Sequence, residues 1–366
     1  MIGKNRVYRG HVTGTNHLPS VLLFLIVLIL LALIAAFALL PQYMVCYQDG
    51  VEMVVPFLTE DGKGFSLEGT TGPMPYTGAV STTVSIAPPD YSAISLGSDR
   101  SLGYMQCLYV PYNKVTAAGV ESYVNEANRI GVKGLYLQMK NEEGKLAWMS
   151  TSAMASSYAT NNAWDISATV AELKADGWYL VAELSCSIDT LLASADNALA
   201  LKDAMGGVYT AGGGSWVDLW NRTVRAYIVK LCTDLITLGF DEIVLTHVEH
   251  PNAAVSYTRS IGAELDATAC VMSFSVAVRE ALNDVLKENG AHLCATLSHD
   301  ALTNAQPNGQ SLETYLKVFD RLIVPTETYG DDCALFLALH ADSTLRYVPR
   351  MTWTFSGGSW LLDTTG

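Results

Sequence analysis

Charged residues are scarce in this 366-residue chain, 16% of the total, and residues 21–40 contain none, nor any amide or hydroxyl. A helix on the surface of a globular domain carries a polar face, so this run excludes an ordinary amphipathic helix. At about 1.5 Å per residue a helix over it would span roughly 30 Å, the hydrocarbon thickness of a bilayer. Lys4, Arg6 and Arg9 precede it without an acid among them, and Asp49, Glu52, Glu60 and Asp61 follow it. Positive flanks stay on the cytoplasmic side, so residues 1–20 are expected inside and the chain after residue 40 outside. A cleaved signal peptide is the rival reading, because Ala36-Phe37-Ala38 has the small-x-small pattern of a cleavage site. That site falls inside the apolar run, and an uncleaved anchor is the expectation.

Basic charge is the next shortage. All 36 acidic residues follow residue 40, against 19 of the 22 Lys and Arg, which leaves that part of the chain at −17. Such a surface repels nucleic acid and anionic lipid and leaves neutral or cationic partners; it also serves plain solubility. The seven cysteines (Cys46, Cys107, Cys186, Cys232, Cys270, Cys294 and Cys333) include no CxxC pair and lack the density of a disulfide scaffold. Cys107, Cys186 and Cys294 lie in apolar, strand-like runs and read as buried thiols. No cofactor is implied: "TAGGGSW" at residues 210–216 lacks the Lys-Ser or Lys-Thr of a phosphate-binding loop, and no Gly-x-Ser-x-Gly elbow supports a serine nucleophile.

Residues 41–102 are rich in Gly, Pro, Ser and Thr and read as an extracytoplasmic stalk or linker. From residue 103 onward short apolar strands alternate with helical stretches, the pattern of a parallel sheet with crossover helices. Strands are expected near 104–110, 132–139, 178–184, 242–247, 293–298, 321–325, 347–352 and 359–362. The helical stretches include 115–130, 166–176, 217–238, 263–289 and 332–340. Eight strands suit a closed (β/α)8 barrel of the TIM type over residues 103–366, with an open doubly wound sheet as the alternative.

The stretch "LGFDEIVLTHVEHP" resembles the motif GFDEI-x-FDY-x-RFP of a glycosyl hydrolase domain family held to be a TIM-type barrel. The likeness continues in order along the chain. "GVKGLYLQMKNEEGKLAW" is similar to that family's NAVVIDVKDD-x-G, with Lys140 and Gly144 kept, and "DGWYLVAELSCSIDTLLA" to its GIY-x-IARI stretch, with a following Asp at Asp189. "SWVDLWNRTVRAYIVKL" matches its WVDP segment through Trp216, Val217 and Asp218. "ATLSHD" resembles its LSAD through Leu297, Ser298 and Asp300, and "VFDRLIVPTETY" its VDYI-x-PMVYP through Asp320, Ile323 and Pro325. The resemblance implies a barrel that acts on glycosidic bonds.

The departures bear on chemistry. Thr246 stands where the motif has the Asp of DY-x-RFP, and His247, Glu249 and His250 replace the Tyr, Arg and Phe that follow. Gln138 stands for the first Asp of DVKDD, and Glu183 for the Arg of IARI. Glycoside hydrolysis ordinarily takes two carboxyl groups, which Thr and Gln cannot supply. A carbohydrate-binding pseudoenzyme is therefore slightly favoured, with Gln138, Lys140, Glu183, Thr246, His247 and Trp216 expected around the ligand. The alternative is an active glycosidase with relocated carboxyls, for which Glu249, Glu327 and Asp300 are the candidates at strand ends. Glu249 and Glu327 are the pair to test first, and each is more often a solvated loop acid. A further alternative is a metal-dependent hydrolase using His247, His299 and Asp300, with His250 nearby; histidines hydrogen-bonded at a polar mouth are the plainer reading. Trp148, Tyr158, Trp164, Trp216 and Trp220 could stack on sugars or fill the core. The expected partners are a carbohydrate or cell-wall glycan, and the bilayer through residues 21–40.

A reporter fused after Gly366 should be active outside the cytoplasm, and mass spectrometry of the mature chain should recover Met1, Ile2 and Gly3. A soluble product beginning at Leu39 would replace the anchor with a cleaved signal.

Overall fold

The structure is a computed structural model. It describes residues 44–47, 50–53, 102–158, 164–251, 267–303, 308–326, 333, 336, 343–354 and 357–365. The chain divides into two compact units, residues 1–84 and 85–366. In the first, the described residues form an antiparallel pair, Met44–Tyr47 with Gly50–Met53. The run 21–40 lies outside the described residues, and among those described no helix is long and apolar enough to cross a membrane.

The second unit is a closed barrel of eight parallel strands. They are β1 (Gln106–Val110), β2 (Gly134–Lys140), β3 (Tyr179–Ser185), β4 (Glu242–Thr246), β5 (His292–Thr296), β6 (Leu322–Pro325), β7 (Tyr347–Met351) and β8 (Trp360–Leu362). Neighbours in the barrel follow chain order, and β8 closes on β1 with Leu361 opposite Cys107. All eight expected strands are present, with ends shifted by a few residues, and the doubly wound alternative is excluded by closure.

Alternation along each strand divides the core in two. Leu135, Leu137, Leu180, Ala182, Leu184, Ile243, Leu245, Leu293 and Leu322 face outward and pack with helix residues such as Val120, Leu231 and Phe274. Cys107, Tyr109, Tyr136, Val181, Val244, Cys294, Ile323, Val348 and Leu361 fill the interior. A barrel of this size has a packed interior, so its chemistry is confined to the ends.

The main crossover helices are α1 (Ala117–Ile130), α3 (Ser167–Ala175), α5 (Arg222–Leu238) and α6 (Ala267–Asn289). Thr116 caps α1 by accepting from Gly119 N at 3.1 Å, and Asn221 caps α5 by accepting from Thr223 N at 2.9 Å. Gly131 and Gly239, both left-handed, end these two helices. The short helices α2 (Ala153–Tyr158), α4 (Thr190–Ala195), α7 (His299–Leu302), α8 (Leu312–Val318) and α9 (Ser343–Arg346) were not foreseen, nor was a small hairpin, Thr210–Ala211 with Gly214–Ser215. Of the expected helix 332–340, only Cys333 and Phe336 are described.

The amino-terminal end of the barrel is plugged by charge. Arg321 and Glu242, both 0% exposed, pair at 2.8 Å between β4 and the start of β6. Tyr179 Oη donates to Glu242, as does Cys294 Sγ at 3.2 Å. Arg321 also donates to Gly103 O at 3.1 Å and Leu345 O at 3.0 Å, so one guanidinium ties the entrances of β1 and β7 to the same plug. Behind it Arg279 pairs with Asp320 at 2.9 Å, and Asp320 accepts from Leu293 N. Breaking a buried pair by removing one partner leaves an uncompensated charge and costs about 3–5 kcal/mol. Arg321→Met should therefore lower the urea midpoint of the full chain steeply, whereas the double change Arg321→Met with Glu242→Leu should recover much of it. Equal losses in the single and double variants would show that the plug is not held as a pair.

Candidate active site at the carboxyl end of the barrel

Above the apolar interior, at the carboxyl ends of the strands, the inward positions turn polar. Gln138 continues the inward face of β2 above Tyr136, Glu183 that of β3 above Val181, and Arg350 that of β7 above Val348. Gln138 and Glu183 are register partners. Glu183 is 3% exposed, its carboxyl hydrogen-bonded by the Tyr136 hydroxyl. Arg350 Nη1 is 3.8 Å from its Oε2. The same guanidinium donates twice to Asp363, through Nε at 3.0 Å and Nη2 at 2.8 Å, and lies 4.1 Å above the Tyr109 ring. One cation thus serves two carboxyls, and Asp363 holds most of it. Burial pushes the Glu183 carboxyl above the usual range, with Arg350 as the main offset. Asp363, hydrogen-bonded by Thr365 and Arg350 against its partial burial, is held below it.

Beside this group a cleft of about 470 Å³ opens between the ends of β1 and β2, lined by Tyr112, Asn113, Gln138, Asn141, Glu142 and Lys145 among others. Gln138 spans its floor: Oε1 accepts from Tyr112 N at 3.1 Å, and Nε2 donates to Glu142 Oε1 at 3.4 Å.

A second cluster anchors the loops. A bulge between Gln138 and Lys140 shifts the register of β2, and Lys140, 0% exposed, reaches Asp189 at 3.0 Å and Ser185 O at 2.6 Å. Asp189 also caps α4 by accepting from Leu192 N. Gly144 has φ +90°, and a Cβ there would lie 2.0 Å from Asp189 Oδ1, so both the backbone and the packing require glycine. Ser185 donates its proton to Ile188 O at 2.8 Å and lies 3.2 Å from His247 Nδ1. Nδ1 therefore carries the imidazole proton in that contact. His247 is the one non-glycine residue with positive φ among the described residues, at 52°, held there by Ser187 N and Oγ donating to its carbonyl. Burial keeps its pKa below the ordinary histidine value, opposed by Glu142.

A family model described as "putative glycosyl hydrolase domain" matches residues 107–323. The chain belongs to this family. No curated protein matches. Among solved structures, the glycoside hydrolase domain of PgaB (BpsB) from Bordetella bronchiseptica superposes with a TM-score of 0.51 at 11% identity over 68% of this chain and 84% of that one. A hypothetical protein from Ruminiclostridium thermocellum gives 0.45 at 21% identity over 51% and 96%. A variant of the PelA glycoside hydrolase domain from Pseudomonas aeruginosa gives 0.37 at 17% identity over 68% and 84%. The PgaB likeness supports the fold.

In this glycosyl hydrolase-like barrel, several residues that match the family motif build scaffold. Lys140, Gly144 and Asp189 form the loop clamp, and Trp216 is 6% exposed in a satellite core with Ile188, Leu201 and Tyr209, its Nε1 donating to Ala211 O. Thr246 ends β4 with a 3.4 Å contact to Leu184 O. The structure brings Gln138, Glu183, Thr246 and His247 to the same end of the barrel.

The expected acids are dispersed. Because β4 ends at Thr246 and His247 turns left-handed, strand alternation does not carry to Glu249. Its carboxyl accepts from Asn308 Nδ2 at 2.5 Å and lies near enough to raise the pKa of the core phenol Tyr315. Burial pushes Glu249 itself upward as well. Asp300 is exposed in the first turn of α7, and Glu327 lies outside the described residues. His247, His299 and Asp300 do not gather; among the described residues no group of three His, Cys, Asp or Glu could hold a metal ion. His250 is buried. Trp148 is 1% exposed, Trp164 packs against the main core, Trp220 stacks on Arg225 at 4.9 Å, and the Tyr158 side chain is outside the description. The open aromatic at this end is Trp353, 48% exposed just beyond β7.

Sequence reasoning missed Glu142, Arg350, Asp363 and Trp353. A signal existed for Glu142, which stands at the last acid of the family's DVKDD-x-G.

The raised pKa of Glu183 has a sign. With its folded value above the unfolded one, the protonated group adds stability below the unfolded pKa, and this is lost as pH rises through the folded pKa. Glu183→Gln does not titrate there. Compared by urea unfolding at about pH 4 and about pH 8, the variant should gain on the wild type toward the higher pH. A constant difference would place Glu183 in water, and a variant that loses on the wild type toward the higher pH would place it in a full ion pair.

Proposed function

We propose that this protein is a membrane-anchored, extracytoplasmic barrel that recognises carbohydrate at the carboxyl mouth of the barrel, and that Gln138 and Thr246 serve recognition where the family motif has acids. The observation that carries this reading is the contrast within the mouth. The clamp of Lys140, Gly144 and Asp189 holds the loop whose Asn141, Glu142 and Lys145 line a cleft of about 470 Å³, while an amide and a hydroxyl, Gln138 and Thr246, stand at two of the motif's carboxyl positions. An amide that both donates and accepts suits sugar hydroxyls. Residues 21–40 hold the barrel at the outer face of the cell membrane, where a cell-wall glycan would be within reach.

In this reading positions 138 and 246 do no proton transfer. Turnover requires carboxyls elsewhere, with Glu249, Asp300 and Glu327 as the strand-end candidates and the buried Glu183 favouring such a relocation.

The test is binding of the full-length chain, in detergent, to a broad panel of immobilised glycans. At least one glycan should be retained, and Gln138→Ala should weaken that binding by roughly tenfold, the worth of about one well-made hydrogen bond. Retention of none, or binding indifferent to Gln138, would remove the reading.

A further inference from the structure

Glu183 is a carboxyl in an unusual position: 3% exposed, at the top of a packed interior, with the buried Tyr136 hydroxyl as its hydrogen-bonding neighbour. Arg350 cannot neutralise it fully, because the guanidinium is committed to Asp363 at 2.8 and 3.0 Å and stands 3.8 Å from Glu183. Burial shifts this carboxyl toward its protonated form, the form in which a general acid acts.

The complementary group lies one residue layer away. Glu142 lines the open cleft and is partly exposed. Between the two acids sits Gln138, which donates to Glu142 and is the register partner of Glu183. The charge of Glu142 is felt at both Glu183 and His247, at the same end of the barrel.

We propose that Glu183 and Glu142 are the acid and base of a relocated glycosidase site, which cleaves the carbohydrate held at the mouth. This rests on the mouth being a carbohydrate site. Glu183 gives its proton to the glycosidic oxygen as the bond from that oxygen to the anomeric carbon breaks. Glu142 takes a proton from a water whose oxygen forms the new bond to that carbon. The net change is addition of one water across the bond, and the proton returns from Glu142 to Glu183 through solvent. Direct attack by water, with no covalent intermediate, makes this an inverting reaction, the class in which the two carboxyls leave room for water between them. Asp363 is a positioning residue: it draws Arg350 toward itself and so limits how far that cation can ionise Glu183.

The experiment uses the full-length chain in detergent, the oligosaccharide that the glycan panel shows to bind, and the 2,4-dinitrophenyl glycoside of the same sugar. Glu183→Gln should cut cleavage of the oligosaccharide about 100-fold or more while leaving the dinitrophenyl glycoside within a few-fold, because that leaving group needs no proton. Glu142→Ala should lose both activities, and azide, which attacks without a base, should restore the second as the glycosyl azide. Glycan binding should persist in both variants. Equal losses on the two substrates in Glu183→Gln would make Glu183 structural, and cleavage that survives both changes but not Glu249→Gln would move the site to Glu249. Binding without cleavage by the wild type would overturn this proposal and leave the carbohydrate site standing, whereas absence of binding would remove both.

Discussion

The ion pair of Arg321 and Glu242 at the floor of the barrel is the constraint on which the rest of this structure depends. Neither group reaches water, so each is tolerable only because the other is there. Through Gly103 O, Leu345 O and Ser359 Oγ the same guanidinium gathers the starts of β1, β7 and β8. Pinning the strands at one end sets their register, and with parallel strands in register all eight carboxyl ends open on one mouth. The residues with chemical potential then come together although they are far apart in the chain: Gln138, Glu183, Arg350 and Asp363 arrive on four different strands or their extensions.

The mouth has a different economy of charge from the floor. Below, one cation meets one anion directly and the pair is closed. Above, Arg350 is divided between Asp363 and Glu183, and the division is unequal because Asp363 offers a short double contact. Burial pushes Glu183 up, the hydrogen bonds of Thr365 and Arg350 hold Asp363 down, and the unequal sharing of Arg350 adds to the separation. The separation owes nothing to the Gln138 and Thr246 positions, so loss of acids there leaves proton chemistry available a few ångströms away.

The architecture was readable from sequence because its determinants are local and repeated. Strand alternation, capping residues at Thr116 and Asn221, and glycines at 131 and 239 each declare themselves within a few residues. The motif matches Lys140, Gly144 and Asp189 were readable as family residues, although only the packed structure shows them as a clamp. The site was less readable, for specific physical reasons. Glu249 was a candidate because it closely follows a strand, and the left-handed turn at His247 takes the chain after it toward Asn308 and Tyr315 instead. Trp216 looked like a sugar platform because its burial is provided by a small hairpin with no strong sequence signal. Arg350 and Asp363 acquire meaning only through each other, across β7 and β8, and no spacing rule within the chain connects either of them to Glu183.

The reversed charge at position 183 couples two strands that are far apart in the chain. An arginine there, as in the family motif, would face Arg350 and leave two cations with Asp363 as their counterion, and a glutamate there without Arg350 would be a buried acid short of its cation. The worth of either side chain is therefore conditional on the other, and a substitution at one position changes what the second will tolerate.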